Sequence, residues 1–228
     1  AVGWAWCGST QIDELEKKYP PQTYFTYSAS VALTDLYSTD QIDYRKDEIG
    51  EILSGAIKCL LGDYWVEGRS EGWTEFTVGP YNQGLTPNEY SPQYDEANED
   101  IFSTSNTLMA TAYMWNNLPD DIWDNADLND EEIDRIQTGI DYVLESVDRQ
   151  LDAENLHNNA AEYTVEATVT EEGEERQVGY FDGTLPYTVM NALIEIEAAD
   201  GPFEHRREDI EERKREVIDY ILDICWDS

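Results

Sequence analysis

Three stretches of this chain carry small and apolar residues on nearly every side and almost no charge. They run from Thr26 to Tyr37, from Thr104 to Trp115 and from Leu185 to Ile196. A helix without a polar face has to be buried on most sides. The pattern therefore predicts three inner helices, with Ala32, Ala110 and Ala192 at the same place in each. Each is followed by a stretch with apolar residues at helical spacing. The first holds Ile49, Ile52, Leu53, Ala56, Ile57, Leu60 and Leu61. The second holds Ile133, Ile136, Ile140, Val143, Leu144 and Val147, and the third Ile210, Val217, Ile218, Ile221, Leu222 and Cys225. These predict amphipathic outer helices whose centres align at Ile57, Ile140 and Ile218. A glycine followed by an aromatic precedes each inner helix: Gly3-Trp4, Gly72-Trp73 and Gly179-Tyr180. The aromatic is expected to plug the seam between hairpins, glycine allowing close approach.

The segments between differ. Residues 66–100 contain Pro80, Pro87, Pro92, Gly79 and Gly84 and read as irregular loop. Residues 162–181 alternate, with Tyr163, Val165, Ala167 and Val169 on one face and Glu162, Thr164, Glu166 and Thr168 on the other. Glu172-Gly173 turns, and Val178 and Tyr180 return, as in a β-hairpin with one solvated face. The expected fold is mainly α: one domain of three repeated helical hairpins, roughly 1–67, 68–151 and 152–228, with a small β-hairpin insertion. The opening Ala1-Val2-Gly3 has no initiator Met and reads as a fragment or processed product.

Charge changes the picture most. Asp and Glu number 50 against 14 Lys and Arg, a net charge of -36. That much like charge strains a compact state in dilute buffer. At about 1 M salt the Debye length falls to about 3 Å and the repulsion is screened. Acid occurs in every segment, and the lysines are only Lys17, Lys18, Lys46, Lys58 and Lys214. The balance is that of a halophilic protein working in a high-salt cytoplasm. A local acidic function, binding cations or a basic partner, is the alternative. Nucleic acid is excluded as a partner, because phosphate binding needs unpaired basic residues. The one basic cluster, His205-Arg206-Arg207 with Arg213-Lys214-Arg215, is interleaved with acids, and Asp209–Arg213 and Glu211–Arg215 are expected i,i+4 pairs. No apolar run is long enough to span a bilayer. Cys7, Cys59 and Cys225 are odd in number and far apart, so neither a disulfide framework nor a zinc site is expected. No cofactor is implied.

Buried small-residue helices alternating with amphipathic ones, each introduced by a glycine-aromatic pair, resemble the α/α-toroid architecture. That group includes terpenoid cyclases, protein prenyltransferases and six-hairpin glycosidases. Three hairpins fall short of the usual ring. Either the ring is incomplete, or further hairpins of the same chain complete it, or a second copy does; a short solenoid is the alternative. The resemblance implies a ligand in a central funnel near the N-termini of the inner helices. The residues there are Tyr24 and Tyr27, then Asp100, Ser103 and Asn106, then Asp182, Thr184 and Tyr187. Tyr24, Tyr27, Asn106 and Tyr187 are the candidate ligand-binding residues, and Asp100 with Asp182 the candidate catalytic pair. Asp100 and Asp182 equally suit helix caps, and the tyrosines equally suit the core.

Asp120, Asp121 and Asp124 match the Asp-Asp-x-x-Asp motif of class I terpenoid synthases, whose carboxylates hold Mg²⁺ against a diphosphate. The motif follows Leu118-Pro119 in a connection, with neither a second metal motif nor a basic diphosphate clamp. A solvated acidic connection is the competing reading, and no metal is expected. Asn129 or Asp130 is expected to cap the next helix. Cys7 and His157 share no motif. The leading functional expectation is a binding or accessory domain whose loop end, rich in Trp73, Phe76, Tyr81, Tyr90, Tyr94 and Tyr180, takes a protein partner or apolar ligand. The alternative is a toroid enzyme acting on an isoprenoid or glycan.

Overall fold

The computed structural model describes residues 23–39, 45–65, 71–73, 101–152, 167–171, 174–178 and 184–225. These are mainly helical. The helices are α1 (Thr23–Ser38), α2 (Lys46–Lys58), α3 (Ile101–Asn117), α4 (Asp120–Asn125), α5 (Asp130–Asp152), α6 (Thr184–Ala198) and α7 (Arg207–Tyr220). Both α2 and α7 run on into a wider π-helical turn, Cys59–Asp63 and Ile221–Cys225. Two short strands, β1 (Ala167–Glu171) and β2 (Glu174–Val178), pair antiparallel, with Ala167 opposite Val178. No helix of the described residues is long and apolar enough to cross a membrane.

The α3 helix sits between α1 and α6 and packs on both. Behind these, α2 packs on α1, α5 on α3 and α7 on α6, while α5 also meets α7 and the π-turn after α2. The core between them holds Leu53, Ile57, Leu60, Leu61, Leu108, Met114, Ile136, Ile140, Leu144 and Phe203, all fully buried or nearly so. The uncharged sequence of α3 matches its enclosure, for Ser103 through Leu108 and Ala110 through Ala112 are all buried. Its small residues, and the buried Thr26, Ser30 and Thr34 of α1, let helices approach closely. Ser30 and Thr34 each donate to the carbonyl four residues back, at 2.7 and 2.8 Å, so they enter the interior already satisfied.

The outer helices begin on charged side chains. Asn129 caps α5: its Oδ1 accepts the Glu132 N–H at 2.9 Å, and the Glu132 carboxylate accepts the Asn129 N–H at 3.0 Å. This reciprocal box satisfies two orphan donors of the first turn. Before α2 and α7 stand Arg45 and Arg206, in left-handed conformations with φ of 62° and 53°. Arg45 Nε donates to Glu48 at 2.9 Å and Arg206 Nε to Asp209 at 2.6 Å.

Three expectations need correction. Ala110 and Ala192 are buried, but Ala32 is exposed; within the described residues α1 has an inner neighbour, α3, on one side only. Ile57 and Ile140 are buried, but Ile218 is exposed, because α7 turns Ile210, Val217 and Tyr220 inward instead. Arg213 does not pair with Asp209. It reaches Asp148 on the neighbouring α5 and Glu216, while Asp209 takes Arg206; Glu211 and Arg215 do pair.

Candidate functional site

Gly72 and Trp73 sit where α3, α5 and the segment after α2 meet. Trp73 is fully buried, its N–H donating to Thr104 Oγ1 at 2.9 Å. Its ring lies on Gly139 of α5, where a Cβ would come within 2.2 Å of it. Trp65 meets it edge-on at 5.0 Å. Trp73 is thus core, not part of an aromatic binding surface. Phe76, Tyr81, Tyr90, Tyr94 and Tyr180 lie outside the described residues, as do Gly3, Trp4, Gly179, Cys7 and His157.

Of the residues expected near the inner-helix N-termini, Asp100 and Asp182 lie outside the described residues, as do the side chains of Tyr24 and Thr184. Tyr27 packs half-buried against the core, Ser103 is buried, and Tyr187 is mostly exposed. Asn106 is fully buried, and neither its Oδ1 nor its Nδ2 has a hydrogen-bond partner. The hydroxyls of Ser105 and Thr107 are also unpartnered, but they point about 100° to either side of it around the helix. Asn106 instead shares one line of α3 with the half-buried Phe102, Met109 and Tyr113. Leaving an amide buried and unpaired costs about 1–3 kcal/mol.

One helical repeat further along that line, three helices bring together a cluster that sequence reasoning missed. Tyr113 of α3 donates its phenol hydrogen to Asp35 of α1, with Glu195 of α6 close enough to act on it electrostatically. The bond to Asp35, then burial, then the two negative charges push the Tyr113 phenol up to about 12. Burial raises the Glu195 carboxyl above its ordinary value. A raised folded-state value means that this bond stabilises fully below pH 10, the ordinary tyrosine value, and is lost as pH rises through about 12. Tyr113→Phe is expected to cost on the order of 1 kcal/mol after allowance for solvent. In denaturant titrations the gap between the two proteins should stay constant below pH 10 and close between pH 10 and about 12. A gap that widens there would contradict the assignment.

The aspartate-rich motif forms the short α4 rather than an open connection. Asp120, Asp121 and Asp124 are all exposed, and no group of potential metal ligands gathers among the described residues. The other residues of the motif explain the turn. Ile122 is buried against Gly50, where a Cβ would stand 2.9 Å from its Cδ1, and its carbonyl accepts from Ser54 at 2.8 Å. Trp123 meets Trp115 edge-on at 4.9 Å. Cys59 is buried in the core.

Compared with known proteins, the chain matches no family model, no curated sequence and no solved structure.

Proposed function

We propose that this chain is a halophilic array of three helical hairpins that binds an uncharged, partly apolar ligand along its inner helices, with Asn106 as the polar anchor. The hairpin reading is supported by the starts of the outer helices. Arg45-Lys46-Asp47-Glu48-Ile49, Asn129-Asp130-Glu131-Glu132-Ile133 and Arg206-Arg207-Glu208-Asp209-Ile210 share one pattern, each linking its first residue to the acid three positions on. The three positive-φ residues other than glycine among the described residues, Arg45, Asp127 and Arg206, each precede an outer helix. Whether such an array closes as a toroid or ends as a short solenoid turns on what covers its edges.

The ligand reading rests on the unpartnered amide of Asn106. An amide offers one acceptor and two donors, suited to a hydroxyl. A chain with a net charge of -36 repels anions, so an uncharged isoprenoid alcohol or glycan fits better. Buried water is the other occupant of such a position. Asn106→Leu separates them. Removing two unpaired polar atoms should leave stability unchanged or raise it by up to about 3 kcal/mol. Affinity for a polyprenyl alcohol or an oligosaccharide, measured by calorimetry, should fall about tenfold or more. Loss of stability with affinity intact would leave water as the occupant and end the ligand reading.

The enzyme alternative draws on Glu195 and Asp35 flanking Tyr113. A carboxyl raised by burial and a second carboxylate on a neighbouring helix suit general acid and base roles on a glycan. Product appearing in the same calorimetry samples distinguishes turnover from binding.

A further inference from the structure

Five large hydrophobic side chains are exposed among the described residues. They are Leu36 on α1, Tyr187 and Ile194 on α6, and Ile218 and Leu222 on α7 and its π-turn. Taking the three-hairpin reading proposed above, on which this inference rests, with the inner helices aligned at Ala32, Ala110 and Ala192, each exposed residue of an inner helix has a buried counterpart in the middle hairpin. Leu36 is 42% exposed, while the matching Met114 and Ile196 are at 0%. Ile194 is 42% exposed, while the matching Thr34 and Ala112 are at 0%. On α7, Ile218 and Leu222 are 40% and 53% exposed; with Arg206 aligned to Asn129 they correspond to Asp141 and Glu145 of the middle hairpin, and Asp141 is where Arg206 of α7 binds.

The pattern has a direction. Positions of the Leu36 type are covered in the second and third hairpins and open only in the first. Positions of the Ile194 type are covered in the first and second and open only in the third. Within the chain α1 packs on α3 and α3 on α6, so a repeated packing sets the side of one helix that carries the Ile194-type position against the side of the next that carries the Leu36-type position. On the third hairpin the ion pair between Lys214 and Glu197 ties α7 to α6. A solenoid that ended here would carry polar residues on its terminal faces. Apolar residues stand there instead.

We infer that the third hairpin docks head to tail on the first hairpin of a second copy of this chain, continuing the packing that already joins the hairpins within it. The occupant is a second copy because the face that covers Ile194-type positions within the chain is the face that the first hairpin leaves open. Two copies each carrying -36 repel at low ionic strength. At about 1 M salt that repulsion reaches only about 3 Å, so the contact should form in high salt.

Sedimentation velocity of the full chain tests this. In about 2 M KCl the protein should sediment as a dimer or larger ring, and shift towards monomer as salt is lowered. Leu36→Glu on one edge, and Ile194→Glu with Leu222→Glu on the other, should each give monomers with unchanged circular dichroism. Mixing the two variants should restore a dimer, because one intact edge of each kind remains. A wild-type monomer at every salt concentration would overturn the inference. So would association that survives Leu36→Glu, since the third hairpin would then pair with itself. Asn106→Leu should associate normally, so failure of this inference and of the ligand reading remain distinguishable.

Discussion

Trp73→Ala should lower the unfolding free energy by about 3–5 kcal/mol, the range for emptying a fully buried large aromatic site. Trp73 touches three parts of the fold at once. Its backbone is held by Thr104 of α3, its ring lies on Gly139 of α5, and Trp65, just beyond the π-turn after α2, meets it edge-on. Gly72 allows that approach, because a Cβ there would come within 2.4 Å of Thr104 Oγ1. The Trp73 indole N–H has no partner, which reduces the loss slightly. The converse substitution, Gly139→Val, should destabilise by about 1–3 kcal/mol through overpacking. Combining the two should cost clearly less than their sum, because the valine partly fills the vacated space. Urea unfolding of the four proteins measures the cycle. A cost for Trp73→Ala below about 1 kcal/mol, or strict additivity, would show that the ring does not hold the seam.

Salt should produce the second large effect. With 50 acidic residues against 14 basic ones, most carboxylates have no cation to pair with. Local pairs such as Arg45–Glu48 and Arg215–Glu211 are exposed and contribute little, so screening takes little from them. The gain from screening acid–acid repulsion is larger, since exposed acids stand close together, as Asp120, Asp121 and Asp124 do on the short α4. Raising KCl from about 0.1 M to about 2 M should therefore raise the thermal midpoint by at least about 10 °C, or about 3–5 kcal/mol for a chain of this size. An unchanged midpoint would mean that the acidity serves a local purpose.

The helices were legible because their apolar periodicity is strong. The stretches predicted as inner helices, 26–37, 104–115 and 185–196, fall inside α1, α3 and α6, each extending by one to three residues at its ends. Exposure at equivalent positions was not legible. Ala32 and Ile218 carry the same sequence signal as Ala110 and Ile140, but within the described residues α1 packs on α3 on one side only, and α7 turns Val217 rather than Ile218 inward. The shared outer-helix starts, Arg-Lys-Asp-Glu-Ile and its two counterparts, were readable in principle. In so acidic a chain they look like background until Arg45 and Arg206 are found with the same backbone conformation and the same bond. The aspartate motif is weak for the same reason, its acids being the exposed side of a turn anchored by Ile122. Asn106 was singled out by its place on an inner helix, but its unpaired state depends on every surrounding side chain. The Asp35–Tyr113–Glu195 cluster needs the relative rotation of three helices, which no local pattern carries.

The side-chain amide resonances of Asn106 test the proposed ligand site most directly. They can be assigned as the pair missing from the spectrum of Asn106→Leu. On titration with a polyprenyl alcohol or with an oligosaccharide, that pair should shift in a saturable manner with one of the two, and its exchange with solvent should slow, as expected when an orphaned amide gains a partner. An Asn106 pair that stays unmoved by both ligand classes would contradict it.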